Sequence, residues 1–138
     1  MNEHNILGAI LAGGQSKRMG QDKLFLELNN RKLIEYTIDK VNKYLKNVII
    51  ITNQKNEFFL KKNLITVEDC IKGQLGPLAG ILTAMKWAKE NLKGCSWIAT
   101  FPCDTPFFPE TIIQKFIEKS KEKDSLLLCA SSHGRKHN

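Results

Sequence analysis

Three features that would place this chain in a special class of protein are missing from its sequence. No apolar segment approaches the length of a membrane-spanning helix, and residues 1–4 do not begin a basic region followed by an apolar stretch, as a secretory signal would. The cysteines contain no C-x-x-C pair, which argues against a zinc site and favours free thiols in a reducing compartment. We therefore expect a cytoplasmic protein with no membrane contact. The four cysteines are Cys70, Cys95, Cys103 and Cys129.

Internal repeats, low-complexity tracts and Pro/Ser-rich linkers are also absent. A chain of 138 residues without such a boundary is expected to form one domain, residues 1–138, large enough to bury a core. Its hydrophobic content of 42% and its charged content of 25% are ordinary for a globular protein.

The sequence has little acidic charge relative to its basic charge. A formal net charge of +7 favours anionic ligands. Much of the excess comes from scattered lysines, and there is no compact patch of arginines interleaved with aromatic residues. Scattered lysines are typical of a solvated surface, so we expect no nucleic-acid partner. These lysines include Lys40, Lys43, Lys46, Lys55, Lys61, Lys62, Lys119, Lys121 and Lys123.

Short apolar runs alternate along the chain with amphipathic segments. The runs predict strands at Ile6–Leu11, Val48–Thr52, Leu64–Val67, Trp97–Phe101 and Leu126–Ala130. Apolar residues at helical spacing predict three helices, over residues 34–45, 81–92 and 112–117, and Gly94 is expected to close the second. Apolar strands separated by such helices predict an α/β fold, a three-layer sandwich with a mostly parallel sheet covered on both faces.

The stretch Ile10–Lys23, with the sequence ILAGGQSKRMGQDK, follows the first predicted strand. Its glycines let the backbone turn tightly and approach a ligand, and Arg18 and Lys23 can supply positive charge to a polyphosphate. The spacing matches neither G-x-x-x-x-G-K-[ST] nor G-x-G-x-x-G. A glycine turn followed by a solvated basic stretch is the alternative. The order of Arg18, Gly20 and Lys23 behind a strand favours a phosphate site.

Polar residues follow three more of the predicted strands. Asn53, Asp69 and Asp104 each come at or just after a strand end, and parallel strands bring such ends to one edge of the sheet. Asp104 lies between Pro102 and Pro106, which restrict the backbone around it. A carboxylate held in this way suits Mg²⁺, which prefers hard oxygen ligands. A local turn hydrogen bond is the other interpretation of this aspartate.

The glycine-rich stretch, read as L-A-G-G-x-S-x-R-M-G-x-D-K, resembles the signature of sugar-phosphate-type nucleotidyltransferases. Two further segments, GPLAG at residues 76–80 and PCDTPF at residues 102–107, make the chain similar to the molybdenum cofactor guanylyltransferase family. The resemblance runs from about Ile6 to the last residues. It implies a Rossmann-like nucleotidyltransferase fold.

The same resemblance implies a reaction and a site. The family transfers GMP from GTP to molybdopterin with release of pyrophosphate, which forms the guanine dinucleotide cofactor, and it uses Mg²⁺. By resemblance, Asp104 binds the metal and acts with Arg18 and Lys23 in catalysis. Implied partners are GTP, molybdopterin and proteins that deliver the molybdenum cofactor, with the chain a monomer or a weak oligomer. The implied nucleotide contacts are Leu11, Ala12, Gly13, Gly14, Lys23, Asn53, Asp69, Gly76, Pro77, Leu78, Gly80 and Asp104.

The resemblance ends early, because the family continues beyond a polar segment like Ser132–Asn138 with a strand, helices and an Asn-rich motif. We therefore expect a C-terminally truncated form of the fold and a solvated tail at these residues. Two other functions stay open: a cytidylyltransferase of the same superfamily, and a nucleotide-binding fragment without turnover. For a third function, a small basic nucleic-acid binder, the net charge is the only support. The combination of GPLAG with PCDTPF favours the guanylyltransferase.

Overall fold

Four parallel strands form the central sheet of the computed structural model, which describes residues 5–12, 17–18, 21–22, 26–53, 59, 64–68, 77–103, 107–122, 130–132 and 135–137. The helices are α1 (Leu33–Tyr44), α2 (Pro77–Asn91) and α3 (Thr111–Ser120). The sheet contains β1 (Ile6–Leu11), β6 (Asn47–Ile51), β7 (Ile65–Val67) and β8 (Trp97–Pro102). Six short strands pair outside it: β2 (Lys17–Arg18), β3 (Gln21–Asp22), β4 (Glu27–Leu28), β5 (Arg31–Lys32), β9 (Ala130–Ser132) and β10 (Arg135–His137).

The order of strands across the sheet is β7-β6-β1-β8, and every neighbouring pair is parallel. The chain moves outward from β1 through β6 to β7, and then crosses back to place β8 on the other side of β1. In open α/β sheets, ligands bind outside the carboxyl ends of the strands where the order reverses in this way. The predicted α/β class with a mostly parallel sheet is confirmed, and the reversal lies between β1 and β8.

Side chains alternate along each strand and build a separate core on each face of the sheet. On β1, Ile6 and Ile10 point to the face covered by α1 and α3, where Ile34, Val41 and Ile113 are also buried. We call this the α1/α3 face. The opposite face is covered by α2 and is called the α2 face; it buries Leu7, Ala9, Ile49, Ile51, Ala84 and Ala88.

The predicted elements of the central sheet agree closely with the observed ones. The bounds of β1 are those predicted, β7 and β8 differ from the prediction by one residue at one end, and β6 begins and ends one residue earlier than predicted. Gly94 has a φ of +85° in the turn after α2, a conformation that favours glycine, although α2 already ends at Asn91. The fifth predicted strand, Leu126–Ala130, lies outside the described residues except for Ala130, which begins β9. No helix in the described part of the chain is long and apolar enough to span a membrane.

Antiparallel pairs are the part of the fold that the sequence analysis did not predict. The connection between β4 and β5 is Asn29-Asn30, with φ of 53° and 64°. Asparagine tolerates this left-handed region better than most residues, and two such residues form the turn that suits a two-residue hairpin. The described part of Ser132–Asn138, where the sequence analysis expects a solvated tail, contains paired backbone, since β10 pairs antiparallel with β9.

Candidate functional site

The four strands of the sheet end at the same level. Leu11 is paired with Ile51 on one side and with Pro102 on the other, and Ile51 is paired with Val67. Neighbouring strands lie about 4.8 Å apart, so the four strand ends span roughly 15 Å. This width is suitable for a nucleotide laid along the edge, and residues that follow the strand ends share one surface.

The structure brings two predicted site residues to this carboxyl edge: Ala12 follows β1, and Asn53 lies two residues after β6. Glu68 and Cys103, which were not predicted as site residues, follow β7 and β8. Because β1 and β8 are neighbours, Ala12 and Cys103 lie beside each other at the strand-order reversal. Six predicted site residues lie outside the described residues, namely Gly13, Gly14, Lys23, Asp69, Gly76 and Asp104.

Two backbone hydrogen bonds extend the sheet past the strand ends. The Ala12 N–H donates to the Ile51 carbonyl at 2.8 Å, and the Thr52 N–H donates to the Val67 carbonyl at 3.0 Å. The Ala12 amide is therefore committed to the sheet, and a contact between Ala12 and a ligand would have to use its methyl group or its carbonyl. Thr52 is buried, whereas Asn53 next to it is exposed.

Arg18 lies in a β-hairpin that the sequence analysis treated as part of one glycine-rich loop. Lys17 is paired with Asp22, and Arg18 is paired with Gln21, in antiparallel register. Backbone pairing restricts the path of a segment that glycines alone would leave free. The described part of the loop after β1 thus includes a basic hairpin.

The start of α2 lies at the same edge, because this helix connects the carboxyl end of β7 to the amino end of β8. Pro77 is the first helical residue, a position where its missing N–H costs no hydrogen bond. Leu78 is 72% exposed, while Ala79 is buried and its carbonyl accepts a hydrogen bond from the Thr83 hydroxyl at 2.8 Å. The predicted contacts Leu78 and Gly80 therefore belong to one helical turn at the edge of the sheet.

Hydrogen bonds and a ring contact join one side of α1 to residues of the connection from β8 to α3. Tyr36, Lys40, Lys43 and Tyr44, which we call the α1 strip, are spaced four, three and one residues apart and lie on one side of the helix. The Lys40 ammonium donates to the Phe108 carbonyl at 2.9 Å, and Tyr44 and Lys43 donate to the Glu110 carboxylate at 2.8 and 3.0 Å. The Tyr36 ring packs against Phe107, with centroids 6.2 Å apart.

These contacts shift the pKa values of Lys43, Tyr44 and Glu110. Hydrogen bonds from Tyr44 and Lys43 lower the pKa of the Glu110 carboxyl, in that order of importance. The hydrogen bond to Glu110 is also the main cause that raises the pKa of Tyr44 and of Lys43. Glu110 is thus a carboxylate held by two donors, immediately before the first residue of α3.

The sequence analysis missed this strip and grouped Lys40 and Lys43 with solvated lysines. Lys40 is instead half-buried and bonded to the connection after β8. The signal was present in the spacing, since Tyr36 and Tyr44 lie eight residues apart, off the apolar side marked by Ile34, Ile38 and Val41. Aromatic residues on a second side of an amphipathic helix indicate a second packing surface.

Acidic residues at or after the strand ends are the candidate ligands for a divalent metal ion. Among the described residues, no group of three or more His, Cys, Asp or Glu side chains could hold a metal by itself. Glu68 is described at this edge, and Asp69 and Asp104 follow strand ends in the sequence. Mg²⁺ is commonly bound through one or two carboxylates together with substrate phosphates. Glu68 is the one of these three carboxylates that the structure describes, and carboxylate oxygen is the donor type that this mode of binding uses.

Comparison with known proteins gives matches over nearly the whole chain. A family model described as "MobA-like NTP transferase domain" matches residues 8–138. A molybdenum cofactor guanylyltransferase of Mesorhizobium japonicum is 33% identical over 134 residues, which are 96% of this chain and 64% of the relative. The chain therefore spans about two thirds of the length of this curated relative.

Solved structures with the same fold are more distant in sequence. An Rv0371c homologue from a Mycobacterium species has a TM-score of 0.68 at 19% identity, over 88% of this chain and 61% of that one. The Mycobacterium tuberculosis protein Rv0371c, in a complex with manganese, has a TM-score of 0.58 at 16% identity, over 84% and 59%. At these identities the likeness shows that the fold is shared.

Proposed function

We propose a function for this chain from one established premise: it belongs to the family of MobA-like NTP transferase domains. We infer that its carboxyl edge binds GTP and that GMP is transferred from GTP to molybdopterin, with release of pyrophosphate. The observation that carries the proposal is the pairing of Leu11 with Pro102, because in the sequence the glycines follow Leu11 directly and the PCDTPF segment begins at Pro102. The curated relative named above is a molybdenum cofactor guanylyltransferase, which supports GTP and molybdopterin as the substrates.

In the proposed reaction, an oxygen of the acceptor phosphate forms a bond to the α-phosphorus of GTP. The bond from the α-phosphorus to the bridging oxygen breaks, and pyrophosphate leaves with that oxygen and its charge. Such a transfer depends mainly on alignment and on neutralising the phosphates. Arg18 and Lys23 would supply positive charge, and bound Mg²⁺ would neutralise phosphate oxygens.

Asp104 is proposed as the carboxylate that binds Mg²⁺, and the start of α2 with Leu78 and Gly80 as part of the base pocket. Leu11, Ala12, Gly13, Gly14, Asn53 and Asp69 complete the proposed nucleotide contacts. Leu78 supports this assignment because its exposed apolar side chain lies at the edge where a flat base would need a surface. The proposed setting is cytoplasmic, with proteins that deliver the molybdenum cofactor as partners.

A cytidylyltransferase of the same superfamily is the second candidate, because the glycine-rich stretch and Asp104 do not themselves select the base. A nucleotide-binding chain without turnover is the third. The first experiment is a thermal-shift panel with GTP, CTP, ATP and UTP, each with and without Mg²⁺. A ligand that binds the folded state raises its melting temperature, so base preference is measured directly. Stabilisation by GTP with Mg²⁺ supports the guanylyltransferase, a preference for CTP supports the second candidate, and no response to any nucleotide contradicts the nucleotide site.

Replacement of Asp104 tests the metal ligand. Asp104→Asn removes one negative charge at nearly constant volume, and we expect the Mg²⁺ concentration for half-maximal GTP binding to rise by about 10-fold or more, as for the loss of a metal-coordinating group. Asp39→Asn is the matched control, since Asp39 is exposed and its ion pair with Arg31 is at the surface. The control should leave the Mg²⁺ dependence unchanged. An Asp104→Asn variant with the wild-type Mg²⁺ dependence would remove Asp104 from the site.

A further inference from the structure

We propose that the exposed ring of Phe107 is the surface on which the flat heterocycle of the acceptor stacks. The inference rests on the proposed function, which makes molybdopterin, a phosphate-bearing pterin, the acceptor of GMP. It goes further because it gives the acceptor ring a place on this chain, on the opposite face of the sheet from the surface proposed for the nucleotide base.

Phe107 lies near the carboxyl end of β8, on the α1/α3 face. The next residue, Phe108, stacks its ring on that of Phe101, with centroids 5.7 Å apart and an interplanar angle of 24°. Phe101 is paired with Ile10 and is followed by Pro102, the last residue of β8. Consecutive Cα atoms are about 3.8 Å apart, so a residue joined to Phe108 lies close to this strand end.

A series of contacts leads from β5 to the Phe107 ring. The Arg31 guanidinium lies 4.8 Å from the centroid of the Tyr36 ring, and the centroids of Tyr36 and Phe107 are 6.2 Å apart at an interplanar angle of 44°. The Tyr36 hydroxyl donates to the Leu28 carbonyl at 2.8 Å, and Arg31 is paired with Asp39. The inner members of the series are therefore fixed, whereas Phe107 is 67% exposed.

An exposed apolar side chain is ordinary on a protein surface, so exposure alone does not indicate a ligand. The Phe107 ring differs in two respects. It is the one aromatic ring among the large apolar side chains that are exposed in the described part of the chain. Its contact with Tyr36 also restricts its motion, so a flat ligand that stacks on it costs less side-chain entropy.

Two exposed apolar surfaces flank the strand-order reversal between β1 and β8. Leu78, which is 72% exposed, lies in the first turn of α2 on the α2 face, whereas Phe107 packs against α1 on the α1/α3 face. The product of the proposed reaction carries one heterocycle at each end of a diphosphate bridge. One ring surface on each face, with the strand ends between them, suits two substrates whose phosphates meet at the edge.

The test measures two affinities in the full chain and in three variants. The acceptor probe is neopterin monophosphate, a pterin with a phosphate ester, whose fluorescence reports stacking, and glycerol phosphate is the matched ligand without a ring. The nucleotide is GTP with Mg²⁺, followed by calorimetry. Phe107→Ala removes the ring and Phe107→Trp keeps an aromatic one. Met85→Ala is the control, because Met85 is also exposed, at 54%, but lies on α2.

We expect Phe107→Ala to raise the Kd for neopterin monophosphate by about 5- to 150-fold, the range found when a base loses its aromatic stacking partner. Phe107→Trp should keep the wild-type Kd or lower it, since a larger aromatic ring stacks at least as well. Met85→Ala should change neither affinity. The Kd for GTP should change by less than about twofold in every variant, because distant sites act independently. The wild type should bind glycerol phosphate more weakly than the pterin.

Other results contradict the inference in recognisable ways. Absence of pterin binding to the wild type, or an unchanged Kd in Phe107→Ala, would show that the acceptor ring does not use this surface. An equal loss in Met85→Ala would indicate nonspecific apolar binding. Weaker GTP binding in Phe107→Ala would assign the ring to the nucleotide base instead. A wild type that binds no nucleotide would overturn the proposed function, and because GTP and the pterin are measured separately, that failure is distinguished from a failure at Phe107.

Discussion

The two faces of the central sheet are built differently. The α1/α3 face buries large branched and aromatic side chains beneath two helices, and a set of side-chain hydrogen bonds ties α1 to the connection that follows β8. The α2 face has one described helix, whose contacts with the sheet include Ala84 and Ala88. The same helix exposes Leu78, Leu82 and Met85.

This difference separates two tasks within one small domain. Large side chains in close contact supply most of the stabilisation, because the free energy gained on burial scales with the apolar area removed from water. Small side chains on α2 let the helix lie close to the strands, at a lower gain per residue. Both faces bury large side chains of the strands, so the difference lies in the helices. We infer that the helix side chains of the α1/α3 face add more stability than those of α2, and that α1 also aligns the connection after β8.

The largest expected effect is the loss of a large side chain from the α1/α3 face. Ile34 is fully buried, and Ile34→Ala should lower the free energy of unfolding by about 2–5 kcal/mol, through lost burial and the cavity left behind. Ala84→Gly is the counterpart on the α2 face and should cost about 1 kcal/mol, chiefly from helix propensity. Urea unfolding measures both. Equal losses would contradict the division of tasks between the faces.

A smaller loss is expected from adding one methyl group to the α1/α3 face. A Cβ at Gly8 would lie 3.0 Å from Val41 Cγ1 and 3.1 Å from Leu45 Cδ1. Gly8→Ala should therefore cost about 1–3 kcal/mol by overpacking. Val41→Ala opens space at the closest contact, so the double variant should lose less than the two single variants added together. Strict additivity in the double-variant cycle would show that the clash is relieved elsewhere.

The sheet could be predicted from the sequence because continuous apolar runs such as Ile6–Leu11 have few alternatives to a buried strand. The hairpin at Asn29-Asn30 could not, since its strands have two residues each and give no periodicity. The position of Asn53 at a strand end was predicted for the same reason as the strands, because a parallel sheet brings its strand ends to one edge, whereas Ala12 was named only through the family resemblance. The hydrogen bond from Lys40 to the Phe108 carbonyl joins residues 68 positions apart, and a single sequence gives no pattern that indicates such a contact.

The smallest effect we expect concerns pH and the end of the α1 strip. The pKa of Glu110 is lowered in the folded chain, chiefly by the Tyr44 hydrogen bond. Its contribution to stability is therefore complete above the ordinary glutamate pKa of about 4.3 and is lost as the pH falls through the lower folded value. The raised pKa values of Tyr44 and Lys43 act in the opposite sense, because their contributions are lost only in strong base.

The stability difference between wild type and Glu110→Gln should consequently be constant near neutral pH and shrink in acid. Urea unfolding at about pH 7, 5 and 3 measures it, with Tyr44→Phe as the background in which the main cause of the shift is removed. In that background the decrease in acid should be weaker. Because Lys43 is exposed and Glu110 is partly exposed, added salt should reduce the difference at every pH. A difference that does not change with pH would mean that the Glu110 carboxylate adds little to stability and that the α1 strip holds the connection through its contacts with Phe107 and Phe108.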